Sequence, residues 1–180
     1  MRLFLAIPLA ESVATELARR TSRLRSAAPD LRWSAPDSWH ITLQFLGETT
    51  PAQYECLIPR LAGLRSPPFL VRLAQPGLFD RAAILHLGVE PTPQLLELQQ
   101  RIVAETTPCG FEPESRPYHP HITLARSKSR SRNLHSLAAR LPGQGSLTAF
   151  TAREFLLYES HLSSSGSTYE VRHRFPLEPR

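Results

Sequence analysis

Two of the chain's seven histidines sit in the same tetrapeptide, His-Ile-Thr-Leu, at His40–Leu43 and again at His121–Leu124. Imidazole both takes and gives a proton near neutral pH. A hydroxyl two residues further on can donate a hydrogen bond to an anionic oxygen. Two imidazoles and two hydroxyls around one site suit phosphodiester chemistry. One imidazole would take a proton from the nucleophile and the other would protonate the leaving oxygen. Thr42 and Thr123 would donate to the non-bridging oxygens, where charge builds in the transition state. The scheme needs neither a metal nor a cofactor.

A four-residue repeat can arise by accident, so its weight comes from geometry. Successive side chains of a strand point to opposite faces. His40 and Thr42 then share one face, with Ile41, Leu43 and Phe45 on the other; His121 and Thr123 likewise face away from Ile122 and Leu124. Each strand would bury an aliphatic face and display an imidazole and a hydroxyl about 6.6 Å apart.

The flanking sequence predicts elements able to hold two such strands. Arg2–Pro8 reads as a buried strand, and Ala10 to about Ser26 as an amphipathic helix through Val13, Leu17 and Leu24. The first motif strand spans Trp39–Leu46, closed by Gly47. Thr50 caps a helix with Pro51 at its first position and Gln53 as capping-box partner, which Pro59 should kink or shorten. Ser66-Pro67-Pro68 marks a passage between lobes. Phe69–Leu78 and Ala82–Val89 read as strands joined by a turn near Asp80-Arg81, and Pro93–Thr106 as a helix. The second motif strand covers His119–Arg126, followed by a short basic helix at Arg132–Leu141. Phe150–His161 and Thr168–Phe175 form a last hairpin across Ser163–Ser167.

A helix, a motif strand and another helix thus occur in both halves, as in a degenerate duplication. The expected fold is α/β (α+β) and bilobal, two sheet-and-helix lobes facing each other across a central groove, with residues 1–180 forming a single domain. No GxGxxG, GxxxxGK[ST] or GxSxG segment is present.

With 21 Lys+Arg against 16 Asp+Glu the net charge is +5, which suits an anionic partner such as a nucleic acid. Cys56 and Cys109 form no CxxC pair, so neither a disulfide framework nor a cysteine-rich zinc site is expected, and both read as reduced thiols. The N-terminal apolar run stops early at Pro8 and Glu11, and no segment is long enough to span a membrane. These features predict a cytoplasmic protein.

HITLQFLGE at His40–Glu48 and HPHITLAR at His119–Arg126 resemble the two HxTx signatures of the two-histidine phosphoesterases. More narrowly, the chain is similar to the RNA 2′,3′-cyclic phosphodiesterases, once called 2′-5′ RNA ligases. RLFLAIP at Arg2–Pro8, Trp33, and LYESHLSSSGSTYEV at Leu157–Val171 extend the resemblance over nearly the whole chain. It implies hydrolysis of an RNA 2′,3′-cyclic phosphate, tRNA fragments among the candidates, to a 2′-phosphomonoester. His40 would be the proton donor to O3′ and His121 the proton acceptor from water. Thr42 and Thr123 would hold the phosphate. No metal or other cofactor is implied, and a monomer suffices.

Other residues invite weaker readings. Arg126 could bind phosphate as a bidentate donor, yet alternation puts it opposite His121 unless the strand ends or bulges there. His119 could pair with His121 on a metal, but no carboxylate cluster is near and a supporting role fits better. Phe45 could stack on a base, but alternation makes it core; Tyr118 is the better rim residue. The stretch Arg126–Arg132 could steer RNA. His86, His135, His161 and His173 read as structural or surface residues. Competing functions are hydrolysis of a small cyclic nucleotide of the ADP-ribose cyclic phosphate type, reversible 2′-5′ ligation, and a non-catalytic RNA-binding module.

Overall fold

The computed structural model describes residues 1–127, 134–143, 145, 147–163 and 166–178. In chain order the elements are β1 (Arg2–Pro8), α1 (Glu11–Ala27), β2 (Arg32–Trp33), β3 (His40–Glu48), α2 (Pro51–Ala62), β4 (Phe69–Val71), β5 (Leu73–Phe79), β6 (Ile84–Val89), α3 (Pro93–Thr106), β7 (His121–Arg126), α4 (Leu134–Ala138), β8 (Phe150–Ala152), β9 (Glu154–Ser163) and β10 (Gly166–Pro176). They build two four-stranded antiparallel sheets, β10-β9-β1-β3 and β2-β7-β6-β5, and a small β4-β8 ribbon. Each large sheet holds one His-Ile-Thr-Leu strand, and β3 and β7 approach each other where the sheets meet.

Local sequence explains most of this. β1 lies between β3 and β9, and its run Leu3–Ile7 is buried on both faces. α1 buries Val13, Leu17 and Leu24 as one stripe; Thr21 lies in the same stripe because its hydroxyl donates to the Leu17 carbonyl at 2.8 Å. The Thr50–Gln53 capping box forms, with the Gln53 amide donating to Thr50 Oγ1 at 3.3 Å and the Thr50 amide donating to Gln53 Oε1 at 3.0 Å. Pro59 does not break α2: it faces solvent, and the helix ends three residues later at Ala62. α3 is capped by Thr92, opens on Pro93 and buries Leu95, Leu98 and Ile102. Leu98 has no exposed surface, and truncating it to alanine would cost about 2–5 kcal/mol. Residues of both large sheets join in one continuous buried cluster.

Three expectations change. Phe69–Leu78 and Phe150–His161 are each two strands, because the chain switches partner at Arg72 and at Arg153. β4 and β8 pair with each other, while β5 and β9 enter the large sheets. The short helix is only Leu134–Ala138, seated by Leu134 and Leu137, and Arg132 lies outside the described residues. Cys56 and Cys109 are joined by a disulfide, with Cα atoms 5.7 Å apart, so the reading of both as reduced thiols is overturned. α2 packs beside α3 and the 3-10 turn after it, which brings together two cysteines 53 residues apart.

Candidate active site

The two motif histidines are held by the same device. His40 Nδ1 lies 2.7 Å from the carbonyl of Ser38, and His121 Nδ1 lies 2.7 Å from the carbonyl of His119. A carbonyl only accepts, so each Nδ1 is the donor and each Nε2 is left for a substrate. In both cases the carbonyl comes from two residues upstream, where the chain enters the strand. Thr42 and Thr123 follow on the same faces as their histidines, half-buried.

Beyond the threonines, strict alternation fails in both strands at the same place. β1 pairs Ala6 with Thr42 but Leu5 with Gln44, so Leu43 is extra. β6 pairs His86 with Thr123 but Leu85 with Ala125, so Leu124 is extra. Each is a β-bulge, and each turns the later side chains over by one position. Leu43 and Gln44 are both buried, and Phe45 emerges 69% exposed on the His40 face. Leu124 and Ala125 are both buried, and Arg126 emerges exposed on the His121 face. Phe45 is therefore not core and Arg126 does not oppose His121. Two aliphatic residues in succession, Gln44 aside, were too weak a sign of the bulge.

Packing makes the two imidazoles unequal. The His40 ring lies among Phe4 (centroids 4.9 Å apart), Tyr169 (5.2 Å, edge-on) and Tyr158 (5.9 Å). Burial lowers its pKa to about 4; the Ser38 carbonyl opposes this, and the charges of His121 and Arg126 add to it. Burial also lowers His121, opposed by the His119 carbonyl and helped by the charges of His119 and Arg126. Beside His121 lie the rings of Phe79, 4.8 Å away, and of His86, 5.3 Å away, so His86 stands next to a motif histidine rather than apart from the site. His86 stacks on Phe79 at 4.2 Å, and a Cβ on Gly77 would come within 2.7 Å of the His86 ring, so only glycine admits it. Its Nδ1 is buried without a hydrogen-bond partner among the described residues, and burial depresses its pKa to about 4.

The β3 bulge is clasped from the other half of the chain. Tyr118 Oη donates to the Thr42 carbonyl at 2.9 Å, Gln99 Nε2 to the Leu43 carbonyl at 3.4 Å, and Thr106 Oγ1 to Gln44 Oε1 at 2.9 Å. Tyr118 is thus a tie between the motif strands rather than a rim residue, and burial raises its pKa. His119 gives its carbonyl to His121 and its ring a 5.9 Å contact with Phe79. Among the described residues the grouping with metal-ligand spacing is Glu159, His161 and Glu170, away from the motif histidines. Of the stretch 126–132 only Arg126 and Ser127 are described. A half-open cavity of about 460 Å³ adjoins the site through Trp39 and Tyr158, but none of the four motif side chains lines it.

A family model described as the 2′-5′ RNA ligase superfamily matches residues 11–162. The chain belongs to this superfamily. The RNA 2′,3′-cyclic phosphodiesterase of Escherichia coli is 31% identical over 98% of this chain and 96% of its own length. That of Geobacillus stearothermophilus is 32% identical over 97% of this chain, which spans 56% of that relative. The crystal structure of E. coli LigT complexed with 3′-AMP superposes with a TM-score of 0.81 at 28% identity, covering 98% of this chain and 97% of that one. The mixed α/β fold of the superfamily is thus the fold found here. No helix among the described residues is long and apolar enough to cross a membrane.

Proposed function

We propose that this superfamily member hydrolyses RNA 2′,3′-cyclic phosphate ends to 2′-phosphomonoesters by metal-independent acid–base catalysis between His40 and His121. The observation that carries the reading is the matched pair of Nδ1 locks, which leaves two Nε2 atoms for one substrate. His121 Nε2 takes a proton from water as the oxygen attacks phosphorus. The P–O3′ bond breaks, protonated His40 gives its Nε2 proton to O3′, and the phosphate stays on O2′. A buried His40 loses its proton easily, so its role as donor depends on the anionic cyclic phosphate, whose charge favours the imidazolium. Thr42 and Thr123 donate to the non-bridging oxygens, Arg126 adds a cation, and Phe45 offers a face for the terminal base.

Both histidines come from one chain, so a monomer is a complete enzyme, and residues 1–180 act as one bilobal unit. RNA as substrate, with tRNA fragments as one source of such ends, argues for the cytoplasm. The Cys56–Cys109 bond argues against a reducing compartment. Thiol labelling of the protein in fresh cell extract decides between them.

The test is an assay, after chelator treatment, on an oligonucleotide ending in a 2′,3′-cyclic phosphate, with His40→Ala and His121→Ala beside the native protein. Release of a 2′-phosphate end by the native protein alone supports the mechanism. Turnover that survives either substitution, or that chelator abolishes, defeats it.

A further inference from the structure

The pairing of the first sheet aligns four side chains across all four strands: Phe45 opposite Phe4, Phe4 opposite Tyr158, and Tyr158 opposite Val171. Directly paired residues share a face, so this row runs from β3 to the outer strand β10 on the side that carries His40. Three interstrand spacings make it about 14 Å long. One pair further along β9 and β10, Ser160 lies opposite Tyr169, and beyond it Leu162 opposite Ser167. Tyr169 meets the His40 ring edge-on, which joins the row to the reacting histidine.

A monomeric protein normally hides such side chains. Here Phe45, Leu162 and Val171 are 69%, 65% and 39% exposed. The same face carries Arg174, opposite Leu156 in the register, whose guanidinium is paired with Glu154 at 2.7 Å. Phe4 is buried, so the rings this four-stranded antiparallel face offers are Phe45 on one side of it and the half-buried Tyr158 and Tyr169 on the other; aromatic rings on such a face are what single-stranded RNA stacks on, about two or three bases at a time. A protein partner would want a larger apolar patch and gains nothing from continuity with His40. A single cyclic nucleotide would use Phe45 and leave the outer strands uncovered.

We propose that the β9–β10 side of this face is a platform for the nucleotides 5′ to the cyclic phosphate, so that the substrate is an oligoribonucleotide rather than a mononucleotide. The inference rests on the hydrolytic reading above and adds where the rest of the RNA lies. The terminal base sits by Phe45 and the preceding bases cross Tyr158 and Tyr169 toward Val171 and Leu162.

The experiment compares kcat/KM for a nucleoside 2′,3′-cyclic phosphate and for a tetranucleotide with the same end, in the native protein and in Leu162→Ser/Val171→Ser. Both positions are exposed, so the double variant folds. The native protein should prefer the tetranucleotide by about tenfold or more, and the variant should lose most of that preference. Equal rates on the two substrates in the native protein, or an undiminished preference in the variant, overturn the platform. In parallel, fluorescence anisotropy measures binding of a labelled tetranucleotide ending in a 2′-phosphate. It should weaken about tenfold in the variant, and unchanged affinity overturns the platform. Because binding needs no turnover, an inactive native protein would defeat the hydrolytic reading while anisotropy still judged the platform.

Discussion

β3 and β7 begin with one tetrapeptide, bulge one residue after the threonine, and hold their imidazoles by a carbonyl two residues upstream. They differ in what surrounds the device. The β3 histidine is enclosed by Phe4, Tyr158 and Tyr169 and is followed past the bulge by Phe45. The β7 histidine sits beside His86, His119 and Phe79 and is followed by Arg126. In the proposed reaction the backbone sets where two protons are exchanged, and packing sets which oxygen or base each side handles. One half presents flat apolar surface, and the other presents nitrogen and charge.

The sharpest way to break the comparison is to remove the imidazoles one at a time. His40→Ala and His121→Ala should each lower kcat by about 10³-fold on a 2′,3′-cyclic end, within the range of general acid–base catalysis. If one variant kept near-native kcat, the two strands would not be functional equivalents. Next come the residues past the bulges. Arg126→Ala should reduce kcat/KM by about 10- to 100-fold, as loss of a charge-assisted contact does. Phe45→Ala should act mainly on KM, by about tenfold, through lost stacking. Equal effects on kcat from both would show that the halves do not divide the work this way.

A smaller effect separates the rings by protonation. In the free protein His40 and His86 should stay neutral down to about pH 4, and a 2′-phosphorylated nucleotide should raise the pKa of His40. Imidazole NMR shifts read this directly; a His40 pKa unmoved by ligand would remove it as donor. Both rings bind protons less readily folded than unfolded. The stability they allow is therefore intact above the ordinary value of 6.5 and drains as pH falls toward 4. Thermal unfolding of His86→Phe should show a shallower acid decline than the native protein, and identical curves would refute the assignment. The smallest change is Tyr118→Phe, which deletes one neutral hydrogen bond to Thr42. A loss of about fivefold in kcat with KM nearly constant is expected from about 1 kcal/mol of positioning. A change confined to KM would assign Tyr118 to substrate contact.

How far the sequence revealed all this varied with the physics involved. Helix starts were plain because Thr50, Pro51 and Gln53, or Thr92 and Pro93, state local hydrogen bonding directly. The motif histidines were plain because period two holds over His-Ile-Thr. It stops holding at Leu43 and Leu124, where one residue drops out of the ladder, and that depends on the partner strand. Alternation therefore puts Phe45 on the wrong face, and Arg126 reaches the His121 face only through the bulge, the exception that alternation leaves open. His86 escaped notice because its neighbour across the ladder, Thr123, lies 37 positions on by numbering, in a register no spacing within Ile84–Val89 discloses. Cys56 and Cys109 needed the packing of α2 beside α3 before they could meet.

The Cys56–Cys109 bond spans the Ser66–Pro68 passage, where the chain crosses from one sheet to the other. A protease that cut there would release nothing, since both fragments would migrate as one species until a thiol reductant parted them. In the uncut chain the closed ring of 53 residues removes on the order of 4 kcal/mol of disorder from the unfolded state; a cut inside the ring forfeits that gain and leaves the bond only as a tether between the two fragments.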